Sequence, residues 1–221
     1  GRTWHGTGPL DMDTRKETYT NRKVSPHDPH FSMVDTLFSL PEISLYSQLV
    51  AHFDAVTQDG TPNYERLWED LRQAMDSLHR DGSLKTEIMR DLAKYIVKDP
   101  DLAETLHRFR SAGKKLFVMT NSEPNYTEAV MSYLLDGAYA GYTSWKDYFD
   151  FTISSARKPM FFSGDAPFVE IGSDLQPIEG PVTSLKGDRI YTGGHLEALT
   201  RMTGMRGDEV LYVGDHIYGD I

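Results

Sequence analysis

Three short stretches in the second half of the chain place polar, chemistry-capable residues directly after apolar runs. "FVMTNS" ends on Thr120, Asn121 and Ser122. A hydroxyl, an amide and backbone N–H groups at such a turn can cradle phosphoryl oxygens, and the same residues also make an ordinary helix cap. "SSARKPMFF" sets Arg157 and Lys158 just before a proline. An ammonium held there could sit beside an anion; a solvated basic turn is the alternative. "VLYVGDHIYGDI" puts Asp215 after one glycine and Asp220 after another. Two carboxylates at one strand tip repel each other unless a cation offsets them, and a hard, oxygen-seeking ion such as Mg²⁺ fits.

The surrounding pattern says what must position these residues. "KKLFVMTNS" reads as a buried parallel strand with polar residues at its carboxyl end, "NYTEAVMSYLLDG" as helix and "YFDFTISSARKP" as a second strand. "FVEIGSDLQPIE" suggests a hairpin excursion, "GHLEALTRMTGM" a helix, and "DEVLYVGDHIYGDI" a third strand running into a loop. Helix and strand therefore alternate over residues 106–221, the signature of an open parallel α/β sheet, in which ligands sit beyond the carboxyl ends of the strands. The first half differs. Residues 1–32 read as loop or irregular structure, and helical spacing then runs through Ile43, Leu45, Leu49, Val50 and Phe53. Leu67, Leu71, Met75 and Leu78 form one stripe of a second helix, which Gly82 stops. "LKTEIMRDLAKYIV" and "DLAETLHRFRSAG" continue the helical pattern.

Composition narrows the function. A net charge of −10 over 221 residues argues against a nucleic-acid backbone as the main partner and leaves room for a small anion only where a lysine, an arginine or a metal offsets the field. No apolar run approaches the roughly 18 residues of a membrane span, and "GRTWHGTG" lacks the apolar middle of a secretory signal. Without cysteine there are no disulfides or thiolate metal sites, which fits a reducing, cytoplasmic setting.

A hydroxyl, a lysine and a carboxylate pair, in that order along an α/β half, resemble motifs II, III and IV of the haloacid dehalogenase-like (HAD) superfamily. "FVMTNS", "ARKPMFF" and "YVGDHIYGDI" look like the matching stretches of the cytosolic purine (IMP/GMP-preferring) 5′-nucleotidases, and "DTLFSLPEISLYSQLV" and "HRDGSLK" resemble that family's inserted cap. The resemblance implies a Rossmann-like HAD-type core over residues 101–221 and a mainly helical cap region with its lead-in over 1–100, helical from about 40. It implies a Mg²⁺-dependent hydrolase of purine nucleoside monophosphates working through an aspartyl-phosphate, with Asp215 holding Mg²⁺. Thr120, Asn121 and Ser122 would hold the phosphoryl group, Lys158 would neutralise its charge, and Asp220 would orient Lys158 or the metal's water shell. A homo-oligomer is implied for the full-length protein.

"DMDT" at Asp11–Thr14 has the spacing of that family's nucleophile and acid. The residues before it, His5, Gly6, Thr7, Gly8, Pro9 and Leu10, cannot make a central buried strand, because proline removes a ladder donor and glycine packs nothing. Asp11 is therefore read as a decoy. The motif I strand, which the resemblance puts at the sheet centre between the strands of motifs II and IV, is expected to be missing, and the chain to be an internal fragment inactive by itself. A non-catalytic family member serving as an interaction protein, and a phosphotransferase sharing the covalent intermediate, are the competing readings.

Arg72, Asp76 and His79 share one helix face, where a solvated Asp–Arg pair is the plain reading. The resemblance assigns the three to the purine and ribose, and Lys85 to the phosphate. Arg72 or His79 could meet the O6 and N7 acceptors of an oxo-purine, and Asp76 a ring N–H. Arg80 stands where the better-known eukaryotic members have a tyrosine, and Thr7-Gly8 where they have an aromatic and an amide, so base stacking is differently built. His27 and His30 in "SPHDPHF" are too few for a second metal site and read as a surface turn.

Overall fold

The computed structural model describes residues 2–20, 25, 31–34, 36–58 and 60–214 of the chain. The chain divides into two compact units, one built chiefly on Gly1–Ser83 and one on Leu84–Gly214.

The first unit opens with a small antiparallel hairpin, β1 (Trp4–His5) and β2 (Gly8–Pro9), in which Trp4 faces Pro9. Gly6 turns it with φ +55°, and a Cβ there would come within 3.1 Å of the Ala51 backbone, so the turn needs glycine twice over. The stretch read as irregular then forms α1 (Met12–Tyr19), a helix with no buried residue. The cap is what starts it. Asp11 accepts from Asp13 N at 2.9 Å, Thr14 N at 3.0 Å and the Thr14 hydroxyl at 2.7 Å, satisfying donors the first turn leaves open. Two longer helices follow, α2 (Leu40–Val56), with Pro41 in its first turn, and α3 (Tyr64–Arg80), capped by Asn63, which accepts from Arg66 N at 2.9 Å. Each buries an apolar residue, Val50 on α2 and Leu71 on α3, and the two meet in an edge-to-face contact between Tyr46 and Trp68 with centroids 5.1 Å apart. Of the apolar stripe on α3, Leu71 is buried, Leu67 and Met75 are half-buried, and Leu78 faces solvent.

The second unit begins with α4 (Ser83–Arg90), α5 (Leu92–Tyr95) and α6 (Leu102–Ser111). Strand β3 (Phe117–Met119) leads into α7 (Pro124–Leu135), and β4 (Phe151–Ser154) into the short α8 (Met160–Ser163). Then come β5 (Phe168–Ile171), β6 (Ile190–Gly193) and α9 (Leu196–Thr203). The sheet order is β3-β4-β6-β5; β3, β4 and β6 run parallel and β5 antiparallel to β6. The unit is thus mixed α/β with a small parallel sheet.

All four residues of β4 are buried, as a central strand covered on both faces requires. Phe151 and Ile153 join Phe161, Phe168, Tyr191, Ala198 and Leu199 on the α8/α9 side. On the other side Ala103 of α6 and Leu135 of α7 pack with Trp145, Tyr148, Phe149, Ile171 and Ile190. Ile153 and Leu135 are at most 1% exposed; shortening either to alanine should cost about 2–5 kcal/mol.

Two strand expectations need revision. The hairpin excursion exists, with Gly172 N donating to Gln176 O and Ile178 N to Glu170 O, but β5 returns to a strand, β6, that hydrophobic pattern had not marked. The expected third strand, "VLYVG", is not one over residues 210–214. Leu211 and Val213 are each 86% exposed. An apolar run becomes a strand only where a neighbour offers N–H and C=O groups. Among the described residues β3 pairs with β4 alone, so its other flank offers no ladder there. Tyr212, between them, is half-buried. With Phe117, Met119, Phe161, Leu199 and Val210 it lines an apolar hollow of about 460 Å³ against β3.

Candidate functional site

Because β3 and β4 are adjacent and parallel, their carboxyl ends lie side by side, and this is where sequence placed Thr120–Ser122 and Arg157–Lys158. Main-chain bonds fuse the two ends. Thr120 N continues the ladder to Ile153 O at 2.9 Å, Ala156 N donates to Thr120 O at 3.0 Å, and Ser155 N to Ser122 O at 2.8 Å. Ser155 and Arg157 take positive φ, 45° and 59°, on either side of buried Ala156. Side chains resist that conformation, so it persists only where neighbours over-determine it, as these bonds do.

Asn121 then locks the lysine's main chain. Its Oδ1 accepts from Lys158 N at 2.7 Å and its Nδ2 donates to Lys158 O at 3.0 Å. The side chain expected to hold phosphate is thus engaged in positioning Lys158. Thr120 Oγ1 accepts from Ser122 N at 3.1 Å, which aims the hydroxyl without using its proton. The Lys158 ammonium donates to the Tyr212 hydroxyl and sits 4.9 Å from that ring's centroid, and Tyr212 in turn donates to Met119 O at 3.4 Å.

Next in the chain, Glu123 is the N-cap residue of α7 but makes no side-chain cap; its carboxylate pairs with Lys85. That ammonium holds Glu123 below the usual carboxylate range, and it also stands 5.4 Å from the Tyr126 ring centroid. Lys85 is therefore brought to the residue following the Thr120–Ser122 turn. Glu123 had no local signal, since its partner lies 38 residues away.

In the first unit Arg72, Asp76 and His79 do share α3. Arg72 is not simply solvated: its Nη1 donates to both oxygens of buried Glu42, at 2.8 and 2.7 Å, while Asp76 stands 3.7 Å from Nη2. Asp11 is the N-cap of α1, two residues past β2. Thr14's hydroxyl keeps its carboxyl below the ordinary range.

Asp215 and Asp220, and the histidines of "SPHDPHF", lie outside the described residues. Among the described residues no three His, Asp or Glu side chains gather as a metal site. No helix among them is long and apolar enough to cross a membrane.

The site is thus a fused pair of parallel strand ends, in a mixed α/β unit, presenting a hydroxyl and a pinned lysine. The model of the 5′ nucleotidase family matches residues 2–221, and the chain belongs to that family. It is 31% identical over 225 residues to a 5′-nucleotidase domain-containing protein of Dictyostelium discoideum, covering 100% of this chain and 38% of that relative. The chain thus spans well under half the length of that relative.

Proposed function

We propose that the full-length protein is a Mg²⁺-dependent 5′-nucleotidase of the HAD type, hydrolysing purine nucleoside 5′-monophosphates of the IMP/GMP kind through an aspartyl-phosphate. Membership of the 5′ nucleotidase family supports phosphate-ester hydrolysis. The observation that carries the reading is the Asn121–Lys158 clamp beside Thr120 at one end of β3 and β4.

Each group has a distinct task. The Thr120 hydroxyl, oriented by Ser122 N, donates to a phosphoryl oxygen, and Ser122 lies beside it. Lys158 neutralises charge that grows as the phosphoryl group is transferred; it does so best if its position is fixed in advance, which Asn121 provides. Lys85 adds positive charge next to the same turn once its hold on Glu123 is shared. Mg²⁺ held by Asp215 would supply further neutralisation of the phosphoryl oxygens, and Asp220 would orient Lys158 or the ion's water. In the first unit, Arg72, Asp76 and His79 read the base. No residue of 1–221 is assigned as the attacking aspartate, Asp11 being a helix cap.

The test is phosphate release from IMP, GMP and AMP by the full-length protein with Mg²⁺, alongside Lys158→Met. Turnover of the oxo-purine nucleotides that falls about 100-fold or more in the variant is expected. No hydrolysis by the wild type, with or without Mg²⁺, contradicts the proposal and favours the non-catalytic interaction protein.

A further inference from the structure

Glu42 lies in the first turn of α2, an ordinary place for an acidic residue, because the helix dipole welcomes negative charge there. Its burial is not ordinary. Only 7% of the residue is exposed, and a carboxylate taken out of water needs a partner. The partner is Arg72 of α3, 30 residues on, whose Nη1 alone donates to both Glu42 oxygens.

This one-nitrogen chelate has a consequence for the rest of the guanidinium. Its plane is fixed by Glu42, yet the Arg72 side chain remains 43% exposed. Among the described residues neither Nε nor Nη2 makes a hydrogen bond; Asp76 at 3.7 Å from Nη2 is an ion-pair neighbour, beyond hydrogen-bond reach. The Nε–H and one Nη2–H of a guanidinium point the same way, so Arg72 keeps a rigid two-donor fork on the edge away from Glu42.

We infer that Glu42 is a positioning residue for base selection: by holding Nη1 it presents the Nε/Nη2 fork of Arg72 to two adjacent acceptors, the O6 and N7 edge of a 6-oxo-purine. Such a fork matches O6 and N7 together. A 6-amino-purine offers a donor in place of O6, so one arm of the fork meets a donor and is left unpaired. A pyrimidine lacks N7. The inference rests on the proposed nucleotide substrate and adds the residue that sets the preference.

The experiment is equilibrium binding of IMP and AMP to the full-length protein by calorimetry, for wild type, Glu42→Gln and Glu42→Asp, with thermal midpoints recorded on the same samples. Wild type should favour IMP by about tenfold or more, the worth of one good bidentate pair. Both variants should lose most of that preference, through weaker IMP binding and little change for AMP. Glu42→Asp keeps the charge and so guards against simple failure to fold. An IMP preference that survives both variants, or a loss that strikes IMP and AMP equally and follows the thermal midpoint, makes Glu42 a helix tie only and overturns the inference. Equal binding of IMP and AMP by the wild type contradicts the base assignment itself, which separates failure of the substrate reading from failure of Glu42's role.

Discussion

Asn121 holds Lys158 by both ends of its side-chain amide, accepting from the lysine N–H at 2.7 Å and donating to its carbonyl at 3.0 Å. The clamp joins two strand ends 37 residues apart and fixes the root of the Lys158 side chain.

Asn121→Ala should therefore act on turnover more than on stability. The amide is exposed, so losing its two hydrogen bonds should cost about 1 kcal/mol of stability, while a displaced Lys158 should lower kcat by roughly 10- to 100-fold. Steady-state kinetics and urea unfolding of the same variant check the split. Wild-type kcat in Asn121→Ala contradicts the positioning role.

Asp11 offers the converse. Its depressed carboxyl comes first from the Thr14 hydroxyl, then from backbone donors. A carboxylate with a lowered folded value adds stability above its ordinary range and loses it as the pH falls through the folded value. Helix α1 should accordingly loosen under acid conditions, seen as lower protection of the Asp13 and Thr14 amides relative to their intrinsic exchange at the same pH. Asp11→Asn should leave hydrolysis of IMP at the wild-type level; loss of hydrolysis would make Asp11 the nucleophile after all.

Glu123 and Lys85 give a second pH signature. The Lys85 ammonium is the leading cause of the lowered Glu123 carboxyl, opposed by partial burial. By the same sign, the pair helps at neutral pH and lapses as acid protonates Glu123. Carboxyl ¹³C titration should show the Glu123 midpoint move up in Lys85→Met. A midpoint that stays put contradicts the pairing.

Thr152 tests the core of the sheet. Its hydroxyl is buried in β4 without a hydrogen-bond partner among the described residues. Thr152→Val keeps the branched shape and removes the orphaned group, so stability should rise by up to about 1 kcal/mol, read as a higher thermal midpoint.

Sequence read some strands of the sheet and missed others. Strands β3 and β4 were legible because an apolar run stops on small polar residues, and that same punctuation marks Thr120 and Lys158. Strand β6 was not, since Ile190–Gly193 has only two apolar residues and follows the polar run "SLKGDR". Leu211 and Val213 show the reverse case, a strand pattern without a ladder among the described residues. Helix α1 stands on its Asp11 cap and has no apolar stripe to announce it. Glu42 and Glu123 escaped notice because local patterns cannot reveal partners 30 and 38 residues distant.

On the proposed function, the joined ends of β3 and β4 receive the phosphoryl group. A crystal structure of the full-length protein with Mg²⁺ and inorganic phosphate would locate that group. Phosphate oxygens should lie at roughly 2.7–3.1 Å from Thr120 Oγ1 and Lys158 Nζ. Phosphate bound elsewhere, with both groups left facing other partners, would rule out this strand end as the phosphate site.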